Sequence, residues 1–137
     1  MSMFKIFDTA GSGMSAQSLR LNLVASNLAN VDSVSSSIDQ TYRAREPVFR
    51  ALVDRFHPDA ATGGVRVAGV VESQEPLRKE YAPDHPLADE NGYIYRPNVS
   101  LPEEMANMIS ASRSYQSNVE VVNSARQMLL ATLRMGE

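Results

Sequence analysis

Two long segments, one at each end of the chain, carry apolar residues spaced for a single helical stripe. In the first, Phe7, Ala10, Met14, Gln17, Leu21, Val24, Leu28 and Val31 alternate steps of three and four, and only Gln17 is polar. In the last, Leu101, Met105, Met108, Ser112, Tyr115, Val119, Val122, Arg126, Leu129 and Leu133 repeat the pattern, interrupted by Ser112 and Arg126. Such steps average 3.5 residues, the period of a coiled-coil seam. Between them lies short-strand and turn sequence unable to sheathe either helix. A chain laid out in this way is built to be packed among other chains.

Composition narrows the function. The 137 residues suffice for one domain, or one small domain with appendages. A net charge of -3, with both signs mixed along the chain, provides no basic patch to release counterions from nucleic acid and no pull toward an anionic membrane. Cysteine is absent, which removes disulfides, thiolate nucleophiles and Cys-based metal sites. No run approaches the roughly 20 apolar residues of a bilayer span. Residues 1–8 lack a basic stretch leading into an apolar core, so a cleaved secretory signal is not expected.

The spacing predicts a first helix from about residue 4 to residue 31. Gly11-Ser12-Gly13 weakens its early turns, since each helical Gly costs about 1 kcal/mol against Ala. Its charges are Lys5, Asp8 and Arg20; elsewhere its outer positions are small polar residues and Ala, which let neighbouring backbones approach. The expected organisation is an N-terminal axial helix (1–31), a flexible connector (32–40), a β-rich or irregular middle (41–99) and a C-terminal axial helix (100–137). Residues 47–54 and 65–72 read as the strands of a hairpin, with turn residues at 58–64 and a bulge position at Gly69. A third short strand is expected around residues 77–81, and an irregular loop leads from there to Tyr93-Ile94-Tyr95. Ser100 as N-cap, Pro102 in the first turn and Glu103 as capping-box partner announce the last helix. It should run to about Met135, with Gly136 able to stop it. The fold class is therefore mainly α with a small β-rich insertion, the terminal helices paired as a coiled coil.

Residues that carry chemistry are sparse. Asp84, His85, Asp89 and Glu90 gather in a Pro-rich loop without the helical His spacing of a metal site. His57, before Pro58, reads as a turn residue. Gly63-Gly64 lacks the Lys and Ser/Thr of a phosphate loop, and no Ser stands in a nucleophile elbow. No catalytic residue, metal or cofactor is expected. Asn22, Asn27 and Asn30 read as lateral hydrogen-bonding groups between subunits, or else Asn30 as a left-handed residue ending the helix and the other two as ordinary polar surface. Met105, Met108, Met128 and Met135 either fill a core or adapt to non-equivalent neighbours. Arg113 reads as a solvated charge, and Arg126, which breaks the stripe, as an interface or pore-facing one.

The segment from Gly13 to Val31, centred on Ala25-Ser26-Asn27-Leu28-Ala29-Asn30, resembles the N-terminal signature of the bacterial flagellar axial family of rod, hook and hook-associated proteins. Four further blocks are similar to the proximal rod members of that family. They are Thr41-Tyr42-Arg43-Ala44-Arg45-Glu46-Pro47-Val48-Phe49, Gly69-Val70-Val71-Glu72-Ser73-Gln74-Glu75-Pro76-Leu77-Arg78, His85-Pro86-Leu87-Ala88-Asp89 through Ile94 with Arg96-Pro97-Asn98-Val99, and Glu103-Glu104-Met105-Ala106-Asn107-Met108 through Tyr115. Asp32-Ser33-Val34-Ser35 departs from the family, which has a Thr-rich turn there.

The resemblance implies a structural subunit of the rod of the flagellar basal body, in the periplasm. Export would run through the flagellar type III apparatus without cleavage of a signal peptide, and the terminal helices would form an inner tube around the export channel. The implied partners are other rod subunits, the inner-membrane ring and export apparatus, and copies of itself, with no nucleic acid, membrane insertion or small-molecule substrate. The expected assembly contacts are Phe7, Met14, Leu21, Val24, Asn27, Leu28, Asn30 and Val31 on the first helix. On the second they are Met105, Met108, Tyr115, Val119, Val122, Arg126, Leu129 and Leu133. Two rival readings stay open: a free-standing coiled-coil adaptor that dimerises through the same stripes, and a small hydrolase or metal enzyme built on His85 and Asp89.

Overall fold

A computed structural model describes residues 3–53 and 63–136; His57 and most of the expected hairpin turn lie outside the described residues. The elements in chain order are α1 (Met3–Ala29), a 3-10 turn (Ile38–Gln40), β1 (Arg45–Ala51), β2 (Val65–Glu72), β3 (Arg78–Tyr81), β4 (Tyr93–Arg96) and α2 (Leu101–Met135).

Helix α1 runs unbroken for 27 residues through both glycines. Contacts on two sides hold those turns. A Cβ on Gly13 would lie 2.9 Å from Asn118 Nδ2 of α2, so the glycine permits a close approach between the helices. On the other side the Ser12 hydroxyl donates to the Thr9 carbonyl at 2.8 Å and accepts the Val65 N–H at 3.0 Å, fastening the hairpin to the helix. Tertiary packing of this kind, more than propensity, stabilises helices in proteins.

Helix α2 spans 35 residues and lies antiparallel to α1: Gly13 meets Asn118, and Arg20 Nη2 donates to Asn107 Oδ1 at 3.0 Å. Its start corrects one expectation. The Glu104 N–H reaches the Ser100 carbonyl at 2.9 Å, but the Ser100 hydroxyl makes no capping bond. Pro102 deprives the second helical position of an N–H, one of the two donors a cap hydroxyl normally accepts. At the far end the Gly136 N–H reaches Leu133 O at 3.3 Å.

The middle of the chain forms two antiparallel pairs. In the β1–β2 hairpin, Val48 faces Gly69 and Phe49 faces Val67, so Ala68 is the extra residue of a bulge beside Gly69. Strands β3 and β4 pair from Arg78↔Arg96 to Tyr81↔Tyr93, making a full strand of what reads in the sequence as the end of a loop. Tyr81 and Tyr93 meet edge to face at 5.2 Å, and Gly92 turns the chain into β4 with a φ of 81°. Residues 32–40 are tied down at two points. Ser35 exchanges both backbone hydrogen bonds with Tyr95, at 3.0 and 2.9 Å, and the Thr41 hydroxyl donates to Ser37 O at 2.6 Å.

The core sits at one end of the helix pair. Ile94, Pro97, Val99, Ala44 and Asn27 are buried where the end of α1, the start of α2 and the roots of the strands converge. Helix α1 touches both α2 and the β1–β2 hairpin, whereas the only extensive packing of α2 on another described element is against α1. Among the described residues, no helix is long and apolar enough to cross a membrane.

Candidate assembly interface

The side of α2 that the chain covers with its own residues is mostly small or polar. Glu104, Asn107, Ala111, Ser114, Asn118, Val122, Ala125 and Leu129 run along it, again in steps of three and four, with Ser112 and Val119 half-buried at its edge. Ala111 is 0% exposed and Ala125 1%. Over most of its length this seam precedes the large apolar stripe by one residue, as in Asn107 against Met108 or Ser114 against Tyr115. One residue is about 100° around a helix, so the stripe is turned away from α1 and meets its seam only at Val122 and Leu129. Small residues let two helices approach closely, and α1 answers with Gly13.

The consequence is a long apolar surface facing outward. Met105 is 52% exposed, Ile109 56% and Leu133 62%, with Leu101, Met108 and Tyr115 also exposed.

The expected contact residues divide between the two helices. On α1, Val24 is buried, and Phe7, Met14, Leu21, Leu28 and Val31 are half-buried, so its stripe lies largely at contacts within the chain. On α2, Met105, Met108, Tyr115, Arg126 and Leu133 are exposed, while Val119, Val122 and Leu129 are half-buried. Arg113 is exposed as well, and Asn22 lies open on α1.

Asn27 and Asn30 are engaged inside the chain. Asn27, 1% exposed, accepts from the Arg45 N–H at 2.9 Å and the Tyr42 hydroxyl at 2.8 Å, and donates to the Arg45 carbonyl at 3.0 Å. Asn30 does not take the left-handed conformation read for it: among the described residues only Gly92 has positive φ. Its side chain instead donates back to the Ser26 carbonyl at 2.8 Å, while its own carbonyl accepts from Ser33. Local bonding by the Ser that follows makes the αL cap unnecessary.

The loop residues that invited a catalytic or metal reading hold the loop together. Asp89 Oδ1 accepts the Tyr93 N–H at 2.8 Å and the Asn91 N–H at 2.9 Å, and Oδ2 takes the Tyr95 hydroxyl at 3.3 Å. These bonds, led by the one from Tyr93, hold its carboxyl below the ordinary aspartate value. His85 Nδ1 accepts the Leu87 N–H at 3.0 Å. Among the described residues no group of three or more His, Asp or Glu is placed to hold a metal ion.

Sequence reasoning missed two features. Asn98 ties three segments at the core end, accepting the Ala44 N–H at 2.8 Å and donating to the carbonyls of Ser73 and Glu75. Glu104, on α2 beside Asn27 and Arg20, is 8% exposed; burial pushes its carboxyl above the ordinary glutamate value, partly offset by the Asn27 amide and Arg20. A lone Asn or Glu carries no periodic signal, and both depend on partners far away in the chain.

Two family descriptions match. Residues 7–35 match "Flagella basal body rod protein" and residues 90–135 match "Flagellar basal body rod FlgEFG protein C-terminal". The chain is 54% identical to "Flagellar basal-body rod protein FlgC" of Salmonella typhimurium strain LT2, over 100% of both chains. It is 53% identical to the protein of the same name from Escherichia coli O6:H1, also over 100% of both. A more distant relative of that name, from Borreliella burgdorferi, is 36% identical over 97% of each chain.

Proposed function

Because this chain belongs to the FlgC family of flagellar basal-body rod proteins, structural subunits of the proximal rod, we propose that it is built into the rod by the outer face of α2. The observation that carries this reading is the row of exposed large side chains from Leu101 to Leu133 on a helix covered by its own chain on one side only. Docking another helix there removes apolar surface from water at about 25 cal/mol per Å². Methionines at Met105 and Met108 suit a face that meets non-equivalent neighbours.

The α1–α2 pair would supercoil as the 3–4 spacing of both seams suggests, and adjoining pairs would close the wall of the export channel. The assembly is heterologous, one surface of each copy docking on a different surface of the next. Its role is mechanical, transmitting torque, with no catalytic step and no cofactor. Its neighbours are other rod subunits, copies of itself and the inner-membrane ring with its export apparatus. It works in the periplasm and reaches it through the flagellar export apparatus with its N-terminus intact. The β1–β2 hairpin, packed on α1, would lie outside the tube.

The test is complementation. A motile bacterium deleted for its own copy is supplied with this chain, and basal bodies are purified. Incorporation with restored motility supports the reading. A discrete soluble dimer in sedimentation, with no incorporation, would favour the coiled-coil adaptor instead.

A further inference from the structure

Between the start of α2, the middle of α1 and the root of the hairpin lies a cavity of about 430 Å³. Its lining includes four carboxylates, Glu46, Glu75, Glu103 and Glu104, and one guanidinium, Arg20. Arg20 is already committed to Asn107. Glu104, more than nine-tenths buried, has one oxygen, Oε2, without a hydrogen-bond partner. A buried carboxylate oxygen left unpaired is costly; Oε2 is covered as Glu104 stands, and a rotation of its carboxyl into the notch would let a cation satisfy it. Its wall adds Pro47 and the partly exposed ring of Phe49. An aromatic face beside several carboxylates suits a planar guanidinium, which stacks and forks at once, better than a strongly hydrated ammonium or a bare metal ion.

We propose that this notch receives an arginine side chain from a neighbouring axial subunit. The site sits at the first turn of α2, beside the outer apolar face, so a helix docked on that face passes close to it. The apolar face then provides contact area, and the notch fixes the axial register of the neighbour, as charge pairs do in other assemblies. The inference rests on the rod reading and adds the chemistry of one contact.

The test uses Glu75→Arg and Glu103→Arg, alone and together, in the full-length chain. Both positions are exposed, so the melting temperature of the isolated chain should hold, and this is measured first. In cells whose only copy is the variant, the double substitution should cut the yield of complete basal bodies about tenfold or more, the scale of a like-charge clash. Selected suppressors should replace an Arg by a neutral or acidic residue in a neighbouring axial protein. Undiminished yield overturns the proposal, as does a suppressor set in which no neighbour loses a basic side chain. A melting temperature of the isolated wild-type chain that rises with Mg²⁺ or Ca²⁺, and no longer does so in Glu103→Arg, also overturns it in favour of a metal. Failure of the rod reading looks different: the wild-type chain itself would be missing from purified basal bodies.

Discussion

The side chain of Asn27 pairs with the backbone of Arg45, accepting its N–H at 2.9 Å and donating to its carbonyl at 3.0 Å. A carboxamide has the shape and polarity of a peptide group, so the helix offers the first residue of β1 the pairing a strand would. Tyr42 adds its hydroxyl at 2.8 Å, and the cluster joins α1 to the start of the hairpin. Asn27→Ala would strand the polar groups of Arg45 and Tyr42 in a buried site. The expected loss is about 2–4 kcal/mol, read from urea denaturation of the isolated chain.

The two glycines of α1 should respond differently to alanine. A Cβ at Gly11 meets nothing within 4 Å, so Gly11→Ala should gain about 1 kcal/mol of helix propensity. At Gly13 the new methyl would press on Asn118 and disturb its bond to the Ser114 carbonyl. That bond is worth about 0.5–1.5 kcal/mol, enough to cancel the gain. Thermal melts of the two variants should therefore diverge, with only Gly11→Ala rising clearly.

The contrast marks what the sequence could tell. Ser100, Pro102 and Gly136 bracket α2 because end signals are local. The hairpin and its bulge beside Gly69 were legible from alternating valines. Which face of α2 meets α1 was not. Hydrophobic spacing finds the largest side chains, and here those point outward, while the inner seam is written in Ala111, Ala125, Asn107 and Asn118, which carry little apolar signal. The ordering of residues 32–40 was hidden for a related reason, since Ser35 pairs with Tyr95, some sixty residues on. Asn27 was singled out, but its partner Arg45 lies beyond the helix and follows no periodicity.

Glu104 gives the chain a pH dependence of definite sign. Burial, the leading cause, raises its folded-state pKa above the ordinary 4.5. The folded state thus keeps a proton that the unfolded state releases. The resulting stability is complete below about pH 4.5 and is lost as the pH climbs through the folded value. Glu104→Gln should accordingly raise the melting temperature near neutral pH and change it little at about pH 4. Asp89 works the other way: its lowered pKa stabilises the fold above the ordinary 3.8, and that contribution disappears as the pH falls through the folded value. Asp89→Asn should cost stability at neutral pH and little in strong acid.

Substitutions on the two faces of α2 should separate folding from assembly. Met105→Ala and Leu133→Ala lie on the exposed face and should shift the isolated chain's stability by no more than about 0.5 kcal/mol. Both should nevertheless impair rod assembly, scored as motility. Ala111→Leu forces bulk into a fully covered seam and should cost about 1–3 kcal/mol in the isolated chain.

Solvent access to the outer face of α2, before and after assembly, tests the account most directly. The chain has no cysteine, so Met105→Cys and Leu133→Cys each introduce a single reactive thiol. Maleimide should label both rapidly in the isolated chain and only slowly in purified basal bodies. Equally fast labelling in the two states would show that this face stays in water within the rod, and would contradict the account.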